Sequence, residues 1–241
     1  MQFTLQEALF LPQLEMFTKE FKVIYRSEEQ LMLEIHLFVN PLGMRCFRCE
    51  NDVLRVDHEL NTKINYQFVP LFNMQTITDT LRLYGLSSCD LKVRQHVADT
   101  IFQVILDYKA ALFQGRKRGR RYLLQLQDAM VKEQVDYSRQ LVERVAKQAN
   151  LDLEMFMEDR RSKLAHQAFQ EDQQMAAELG VTQTATAVVF DTDQTDYGYL
   201  ISDFDYETLI QAFRENKLDR QQSAAQFAAQ FHRPSLKIIQ K

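Results

Sequence analysis

The 241-residue sequence has no tryptophan and only three cysteines, four prolines and six glycines. The scarcity of proline and glycine predicts a chain built mainly from regular helices and strands. Three cysteines cannot form the disulfide framework of a small secreted domain, and an odd number suits a reducing compartment. The formal net charge of −4 excludes a global positive field that would attract nucleic acid.

A long hydrophobic run is also missing. No stretch approaches the roughly 18 consecutive apolar residues that a membrane-spanning helix needs. Near the N-terminus, the apolar piece Ala8–Leu11 is short and follows Glu7 without a preceding basic segment, unlike a secretory signal. We therefore expect a soluble, cytoplasmic protein with no membrane partner.

The pattern that is present starts like an α/β fold. Residues 31–39 are a short apolar run of β-formers, which predicts a strand, and a helix is expected from about residue 43 to 60. Residues 65–72 read as a second strand. Pro70 lacks a backbone N–H, so this strand lies at a sheet edge or ends there.

The centre of the chain is predicted to be helical, since apolar residues recur at spacings of three and four. The expected helices cover residues 91–115, 120–131, 136–150 and 151–180. Gly180 would end the last of them, and Asn150 or Asp152 would cap its start. The remaining predictions are a strand pair over residues 184–190 and 197–202, a helix over 205–216 and a candidate helix over 221–231.

This order of elements predicts an α/β protein: a thioredoxin-like fold with an inserted all-helical domain. Residues 1–91 and 181–241 would form the thioredoxin-like domain. Residues 92–180, enough for a small domain, would form the insertion.

The motif that carries chemistry is Cys46-Phe47-Arg48-Cys49. A C-x-x-C after a strand is typical of thiol–disulfide exchange, so Cys46 and Cys49 are a candidate catalytic redox pair. Free cysteine is also among the most buried residue types, so the same pair suits two small apolar residues in a helix core. Deep in a helix, residues three apart are poorly placed for a disulfide.

Other site chemistries have little support. Cys46, Cys49 and Cys89 with His58 lack a second half-motif for zinc, so no metal is expected. No glycine-rich phosphate or dinucleotide motif is present, so no cofactor is expected. The basic run over residues 116–121 suits either a solvated turn or a docking site for an acidic protein surface. It has no interleaved aromatic for base stacking, so no nucleic-acid partner is expected.

Four segments carry a resemblance to a known family: LEIHLFVNPLGMRC (33–46), AALFQGRKRG (110–119), ANLDLEMFMEDRRS (149–162) and QMAAELGVTQTATAVVF (174–190). They resemble the DsbA-like thioredoxin superfamily, and within it the cytoplasmic SpxH/YjbH-like branch. That branch includes a ClpXP adaptor and proteins labelled dithiol-disulfide isomerases. The resemblance runs from about residue 31 to 215.

In this branch the first strand leads into a segment of the form Asp-Pro-Leu-Cys-Pro-x-Cys. On this chain the segment falls on residues 40–46, so the resemblance places the attacking cysteine at Gly43 and the second cysteine at Cys46. Cys49 lies one helical turn further on. The helix N-terminus, where a thiol pKa is lowered most, would therefore carry no sulfur.

Thioredoxin folds also place a cis-proline opposite the thiols, and the matching residue here is Ala185. A cis bond before a non-proline residue costs about 2.5–4 kcal/mol, so a trans bond and a differently shaped loop are expected. The loss of two hallmarks together favours a redox fold retained for protein interaction.

The resemblance therefore implies an adaptor that delivers a transcription regulator such as Spx to the ClpXP protease. The predicted partner surface consists of Gly43, Met44, Arg45, Thr184, Ala185 and Thr186. The alternative is a thiol–disulfide oxidoreductase or isomerase that uses Cys46 and Cys49.

Overall fold

The computed structural model describes residues 33–59, 64–191, 197–202, 204 and 236–240. Its strands are β1 (Leu33–Val39), β2 (Ile64–Pro70), β3 (Thr186–Asp191), β4 (Tyr197–Ser202) and β5 (Leu236–Gln240). Its helices are α1 (Met44–Glu59), α2 (Met74–Leu83), α3 (Leu91–Phe113), α4 (Arg116–Gln127), α5 (Arg139–Gln148), α6 (Leu153–Asp159) and α7 (Lys163–Glu178). A π-helical turn, Asp128–Lys132, follows α4. Within these ranges, no helix combines the length and apolar character needed to span a bilayer.

The described strands form one mixed sheet in the order β2-β1-β3-β4-β5. β1 is parallel to β2 and antiparallel to β3. β3 and β4 pair antiparallel, as expected, and β5 adds to the free side of β4. Pro70 ends β2, and β2 lies at an edge, so the missing N–H interrupts no central ladder. Both predictions for this strand are confirmed.

Successive residues of β1 face opposite sides of the sheet, as the pleat requires. Leu37 lies in a buried cluster with Cys46 and Val53 of α1. Phe38 lies in the opposite cluster, with Ala176 near the end of α7. Helices therefore cover both faces of the sheet, and the predicted α/β class is confirmed.

The helices between β2 and β3 are held together by a buried carboxylate on α3. Asp107 accepts hydrogen bonds from Arg160 Nε (2.7 Å), the Tyr137 hydroxyl (2.7 Å) and the Tyr122 hydroxyl (3.3 Å). Burial raises the pKa of Asp107 to about 6, while Arg160 and the hydroxyls oppose that rise. These bonds join α3 to α4, to the segment before α5 and to the end of α6.

A buried ion pair joins the same helix to α7. Lys109 of α3 pairs with Asp172 of α7, and both side chains are buried. Removing one member of such a pair leaves an uncompensated charge in the interior and costs about 3–5 kcal/mol. α3 is therefore tied to α4, to the end of α6 and to α7 by bonds to its buried charged groups as well as by apolar packing.

The helix expected over residues 151–180 is in fact two helices, α6 and α7. Arg160 ends the first by turning toward the buried Asp107 carboxylate, and the Ser162 side chain caps the second. The expected cap at Asp152 is confirmed, since its side chain accepts the Met155 N–H. Gly180 follows α7 in the left-handed conformation, as its predicted role as a stop requires.

Some elements were not predicted. α2 begins with a capping box between Asn73 and Thr76 and is a short helix, and β5 is a further strand of the sheet.

The basic run is not a turn: Gly115, with φ 114°, absorbs the change of direction, and α4 begins at Arg116. The candidate helices over residues 205–216 and 221–231 lie outside the described residues. The domain boundaries stay a prediction.

Gly119 of α4 packs closely against Leu112 of α3. A Cβ placed there would lie 2.6 Å from Leu112 Cδ2 and 2.9 Å from Leu112 Cα. Alanine is favoured over glycine in helices by about 1 kcal/mol, but overpacking costs about 1–3 kcal/mol. We expect Gly119→Ala to lower the free energy of unfolding in urea denaturation. Arg121→Ala, at an exposed position of the same helix, should change it by less than about 0.5 kcal/mol. Stabilisation by Gly119→Ala would contradict this packing.

Candidate functional site

The start of α1 is fixed by the turn that precedes it. The N–H of Gly43 donates to the Asn40 carbonyl (2.9 Å), and the N–H of Phe47 donates to the Gly43 carbonyl (3.0 Å). Gly43 therefore holds the N-cap position, and Cys46 is the third residue of the helix. The predicted helix start is confirmed. The position nearest the positive end of the helix dipole has no side chain.

Asn40 organises this turn and contacts the first sulfur. Its side-chain Nδ2 donates to Thr80 Oγ1 of α2 (2.8 Å), and its Oδ1 accepts the N–H of Leu42 (3.0 Å). Its backbone N–H donates to Cys46 Sγ (3.2 Å). The end of β1, the start of α1 and α2 are thus linked through one buried amide.

Both thiols of the C-x-x-C face the interior. Cys46 is 2% exposed and Cys49 is 6% exposed. Burial raises the pKa of Cys46 to about 12, although the Asn40 N–H and the Thr184 hydroxyl oppose this. Burial raises the pKa of Cys49 to about 11, although the Arg45 guanidinium opposes this. A nucleophilic thiol must be a thiolate, so neither sulfur is in the reactive form at neutral pH.

Glu50, the next residue of α1, adds to this effect. Its side chain is fully buried, and in its ionised form it raises the pKa of both Cys46 and Cys49. Glu50 Oε1 accepts a hydrogen bond from Gln127 Nε2 of α4 (2.9 Å), while Glu50 Oε2 and Gln127 Oε1 have no partner in the described part of the chain. Burial raises the pKa of Glu50 to about 8. A proton on the Glu50 carboxyl would supply a hydrogen-bond donor beside these two buried acceptor atoms.

The segment after α7 returns to the start of α1. The Thr184 hydroxyl hydrogen-bonds to the sulfur of Cys46, and the carbonyl of the buried Ala185 accepts the Phe204 N–H (3.1 Å). The Thr184–Ala185 peptide bond is cis, so the expected trans bond is wrong. That expectation weighed only the intrinsic preference of the bond, whereas tertiary contacts hold the segment here.

The residues of the predicted partner surface differ in exposure. Arg45 is exposed, and the two residues before it are half-buried. Thr184 is half-buried beside them, whereas Ala185 and Thr186 are buried. The part that a partner could touch is therefore the first turn of α1 together with Thr184.

A groove of about 750 Å³ opens beside this turn, between the start of α1, α2, the first half of α3 and the segment after α4. Its apolar lining consists of Leu42, Met44, Leu83, Leu86, Val97, Met130, Val131 and Val135. Polar groups of the lining include Tyr84, His96 and Asp136. An open concave surface of this composition is typical of a site for an apolar segment of another molecule.

The last residue of α2 and the turn after it present two leucines to this groove. The N–H of Leu86 donates to the Leu81 carbonyl (2.8 Å) across Gly85, which has φ 64°, so α2 ends in a Schellman-type turn. Leu83 and Leu86 are 49% and 42% exposed. Sequence reasoning missed these residues because α2 itself was not predicted. Two leucines around a glycine at a helix end were the available signal.

The other sequence candidates lie elsewhere. Cys89 is exposed and Cys46 and Cys49 are buried, and the three are unpaired thiols. Over the residues that the structure describes, no group of His, Cys, Asp and Glu could hold a metal ion. The side chain of His58 lies outside the described residues.

A mixed sheet with helices on both faces, a helix starting directly after β1, and a helical block between β2 and β3 define a thioredoxin fold with a helical insertion. The thioredoxin family model matches residues 36–212, and the chain belongs to this family.

Two curated relatives show which members of the family it resembles. The ClpXP adapter protein SpxH of Bacillus cereus strain ATCC 14579 is 28% identical over 214 residues, which cover 78% of this chain and 69% of that protein. The protein of the same name from Bacillus subtilis strain 168 is 27% identical over 183 residues, covering 69% of this chain and 61% of that protein. The resemblance to this branch is confirmed.

Solved structures share the fold at low sequence identity. A proposed protein disulfide isomerase from Nitrosomonas europaea aligns with a TM-score of 0.58 at 14% identity, over 80% of this chain and 100% of that chain. The cytosolic disulfide reductase DsbM from Pseudomonas aeruginosa aligns with a TM-score of 0.50 at 16% identity, over 77% and 100%. These likenesses confirm the DsbA-like fold.

Restoring a thiol at the start of α1 tests the geometry of the site. A Cβ at Gly43 would lie 3.4 Å from Cys46 Sγ. We expect Gly43→Cys to form a disulfide with Cys46 in oxidised glutathione and, once reduced, to reduce insulin, because a thiol at a helix N-terminus has a lowered pKa. Free-thiol titration and insulin turbidity measure these outcomes. Gly43→Ser is the control, and Gly43→Cys combined with Cys46→Ser should form no such bond. If all thiols of Gly43→Cys stayed free after oxidation, the inferred proximity would be wrong.

The buried carboxyl of Glu50 predicts a pH dependence of stability. Its pKa rises from an ordinary 4.5 to about 8, so the folded state keeps a proton that the unfolded chain loses. This contribution is present below pH 4.5 and is lost as the pH rises to about 8, with a slope of at most about 1.4 kcal/mol per pH unit.

Urea denaturation between pH 6 and 8 should therefore show a falling free energy of unfolding that Glu50→Gln flattens. Burial also raises the pKa values of Asp107 and Asp172 to about 6. These two groups therefore lower the free energy of unfolding as the pH rises through a lower range, equally in the wild type and in Glu50→Gln. Glu154→Gln, at an exposed position, serves as the control and should keep the wild-type slope. An unchanged slope in Glu50→Gln would show that Glu50 is ionised in the folded state.

Proposed function

We propose that this protein is a cytoplasmic adaptor that binds a second protein through the groove beside Met44 and delivers it to a protease. The relatives named ClpXP adapter protein SpxH support ClpXP as the protease. The resemblance to the SpxH/YjbH-like branch implies a transcription regulator such as Spx as the bound protein. Unpaired cysteines suit a reducing, cytoplasmic location.

The exposed, partly apolar groove is the observation that carries the proposal. Leu83 and Leu86 leave almost half of their surface in water, and burying apolar area contributes roughly 25 cal/mol per Å². Met44 and Met130 belong to the same lining, and methionine side chains adapt to partners of different shape. His96 and Asp136 provide polar groups that could fix the orientation of a bound segment.

The site next to the groove supports binding more than exchange. Gly43 holds the position at which a thiol would be activated, and it carries no sulfur. Met44 lines the groove, and Arg45, the next residue of the same first turn of α1, is exposed. A partner can therefore contact the helix start without reacting with it.

The redox alternative, with Cys46 and Cys49 as the exchanging pair, is less supported. Exchange needs an accessible thiolate, whereas both sulfurs are buried and their pKa values are raised. Cys49 Sγ also donates to the Phe204 carbonyl (3.7 Å), which holds it toward the sheet. The fold that this chain shares with disulfide reductases shows its architecture alone.

Substitution at the rim of the groove tests the adaptor role. We expect Leu83→Asp combined with Leu86→Asp to weaken binding of the host's Spx-type regulator at least about tenfold, because a charge on an apolar contact surface must be desolvated. Isothermal titration calorimetry measures the affinity. The rate of ClpXP degradation of the regulator, with and without the adaptor, measures delivery.

Leu164→Asp is the matched control, since Leu164 is 62% exposed on α7 and lies outside the groove lining. It should leave both measurements within about twofold of wild type. Insulin reduction by the wild-type protein that Cys46→Ser abolishes would instead establish the redox alternative. Wild-type binding by the double groove variant would overturn the groove as the binding site.

A further inference from the structure

A second concave surface lies at the other end of α3, where α4 begins. A cavity of about 450 Å³ is lined there by Gln114, Gly115, Arg116, Lys117, Arg118, Arg121 and Asn150, which together are called the basic pocket. Four of these side chains are cationic, and none is a carboxylate. The chain has a net charge of −4, so the basic pocket is a local region of positive charge on an acidic protein.

Within the described part of the chain, the cations of the basic pocket are largely uncompensated. Lys117, Arg118 and Arg121 are exposed and form no ion pair with any residue that the structure describes. Among the residues that the structure describes, Arg116 donates only to the neutral Asn65 Oδ1 (3.3 Å). Arg120, from the same run, is instead turned toward β2, where its guanidinium stacks 4.3 Å from the Tyr66 ring centroid. The run thus divides into one residue that serves packing and others that point outward.

This charge pattern disfavours the helix that carries it. Arg116, Lys117 and Arg118 fill the first turn of α4, where the helix dipole favours anions. Lys117 and Arg121 are four residues apart, and like charges at that spacing repel by about 0.2–0.5 kcal/mol. The first turn of α4 thus goes against the preference for anions at a helix N-terminus, and no contact within the described chain compensates for it. This indicates that the cations bind something outside the fold.

The basic pocket is separate from the groove. The two share no lining residue. Thr100 lines the groove and Gln114 lines the basic pocket, so they are fourteen positions apart along the α3 segment, or about 21 Å at the helical rise of 1.5 Å per residue. One partner segment bound in the groove therefore leaves the basic pocket open.

We propose that the basic pocket docks an acidic segment of a second protein, recognised by its Asp and Glu carboxylates. The inference deepens the proposed adaptor function and rests on it for the need to hold two proteins at once. The charge pattern supplies the rest: carboxylates in the basic pocket would pair with the guanidinium and ammonium groups and would also complement the positive end of α4.

An acidic protein segment fits these observations better than a nucleic acid does. No aromatic side chain lines the basic pocket, so stacking of bases has no platform. The chain as a whole is acidic and would repel a long polyanion beyond the basic pocket. A short run of carboxylates needs only the four local cations.

The test uses the full chain and a fluorescent acidic peptide of about ten residues, rich in Asp and Glu, followed by fluorescence anisotropy. We expect micromolar binding at low salt that weakens as salt is added, because the contacts are exposed charges. Lys117→Glu combined with Arg121→Glu should weaken it at least about tenfold. The matched control is Arg161→Glu with Lys163→Glu, two exposed cations outside the basic pocket that change the net charge equally and should stay within about twofold.

Further arms decide between the possible ligands. Tighter binding of an oligothymidylate of equal charge would overturn the proposal in favour of a nucleic acid, and complete displacement by millimolar inorganic phosphate would overturn it in favour of a free anion. Equal losses in the two charge-reversed proteins would overturn it as non-specific attraction. The double groove variant should bind the peptide like wild type. If the wild-type protein bound the peptide but not the regulator, only the groove proposal would be overturned. If it bound the regulator but not the peptide, only the basic-pocket proposal would be overturned. Circular dichroism confirms folding of each variant.

Discussion

The buried carboxylate of Asp107 holds the helical part of the molecule in one arrangement. Arg160, Tyr122 and Tyr137 meet on it from three different segments, and Lys109, two residues further along α3, pairs with α7. Each charge would be costly to bury alone, so these partners must assemble together. α3 becomes the axis of the block. Because the groove and the basic pocket each include residues at one end of this axis, the same buried contacts set their separation.

The region around Cys46 keeps the hydrogen-bond donors of a thiol site, but the thiol itself is not in its reactive form. An N–H from Asn40 and a hydroxyl from Thr184 both point at the sulfur, and either would stabilise a thiolate. Burial and the neighbouring Glu50 act against them and prevail. The same β1–α1 corner still presents a shaped, partly apolar surface. Binding a partner requires only that surface shape, whereas thiol–disulfide exchange also requires a reactive thiolate.

The sequence predicted what depends on neighbouring residues and missed what depends on distant ones. The strands over 31–39, 65–72, 184–190 and 197–202 were found within about two residues, because alternation and proline act locally. The break between α6 and α7 was missed because it follows from Arg160 reaching Asp107, 53 residues earlier. The groove was missed for the same reason, since it is assembled from four separate segments. The helix start near Gly43 was predicted from the local pattern. Burial of Cys46 and Cys49 was one of two alternatives, and only their packing against the sheet decides between them.

The 23-residue length of α3 has a consequence for variation in this protein. Each residue added to or removed from a helix shifts its far end by 1.5 Å and rotates it by about 100°. A single insertion in the middle of α3 would therefore re-aim one end relative to the other and pull Asp107 or Lys109 away from its partner. Exchanges on the outer face of the helix would leave both ends where they are. Natural variants should accordingly keep the length of α3 more strictly than the identity of its exposed residues.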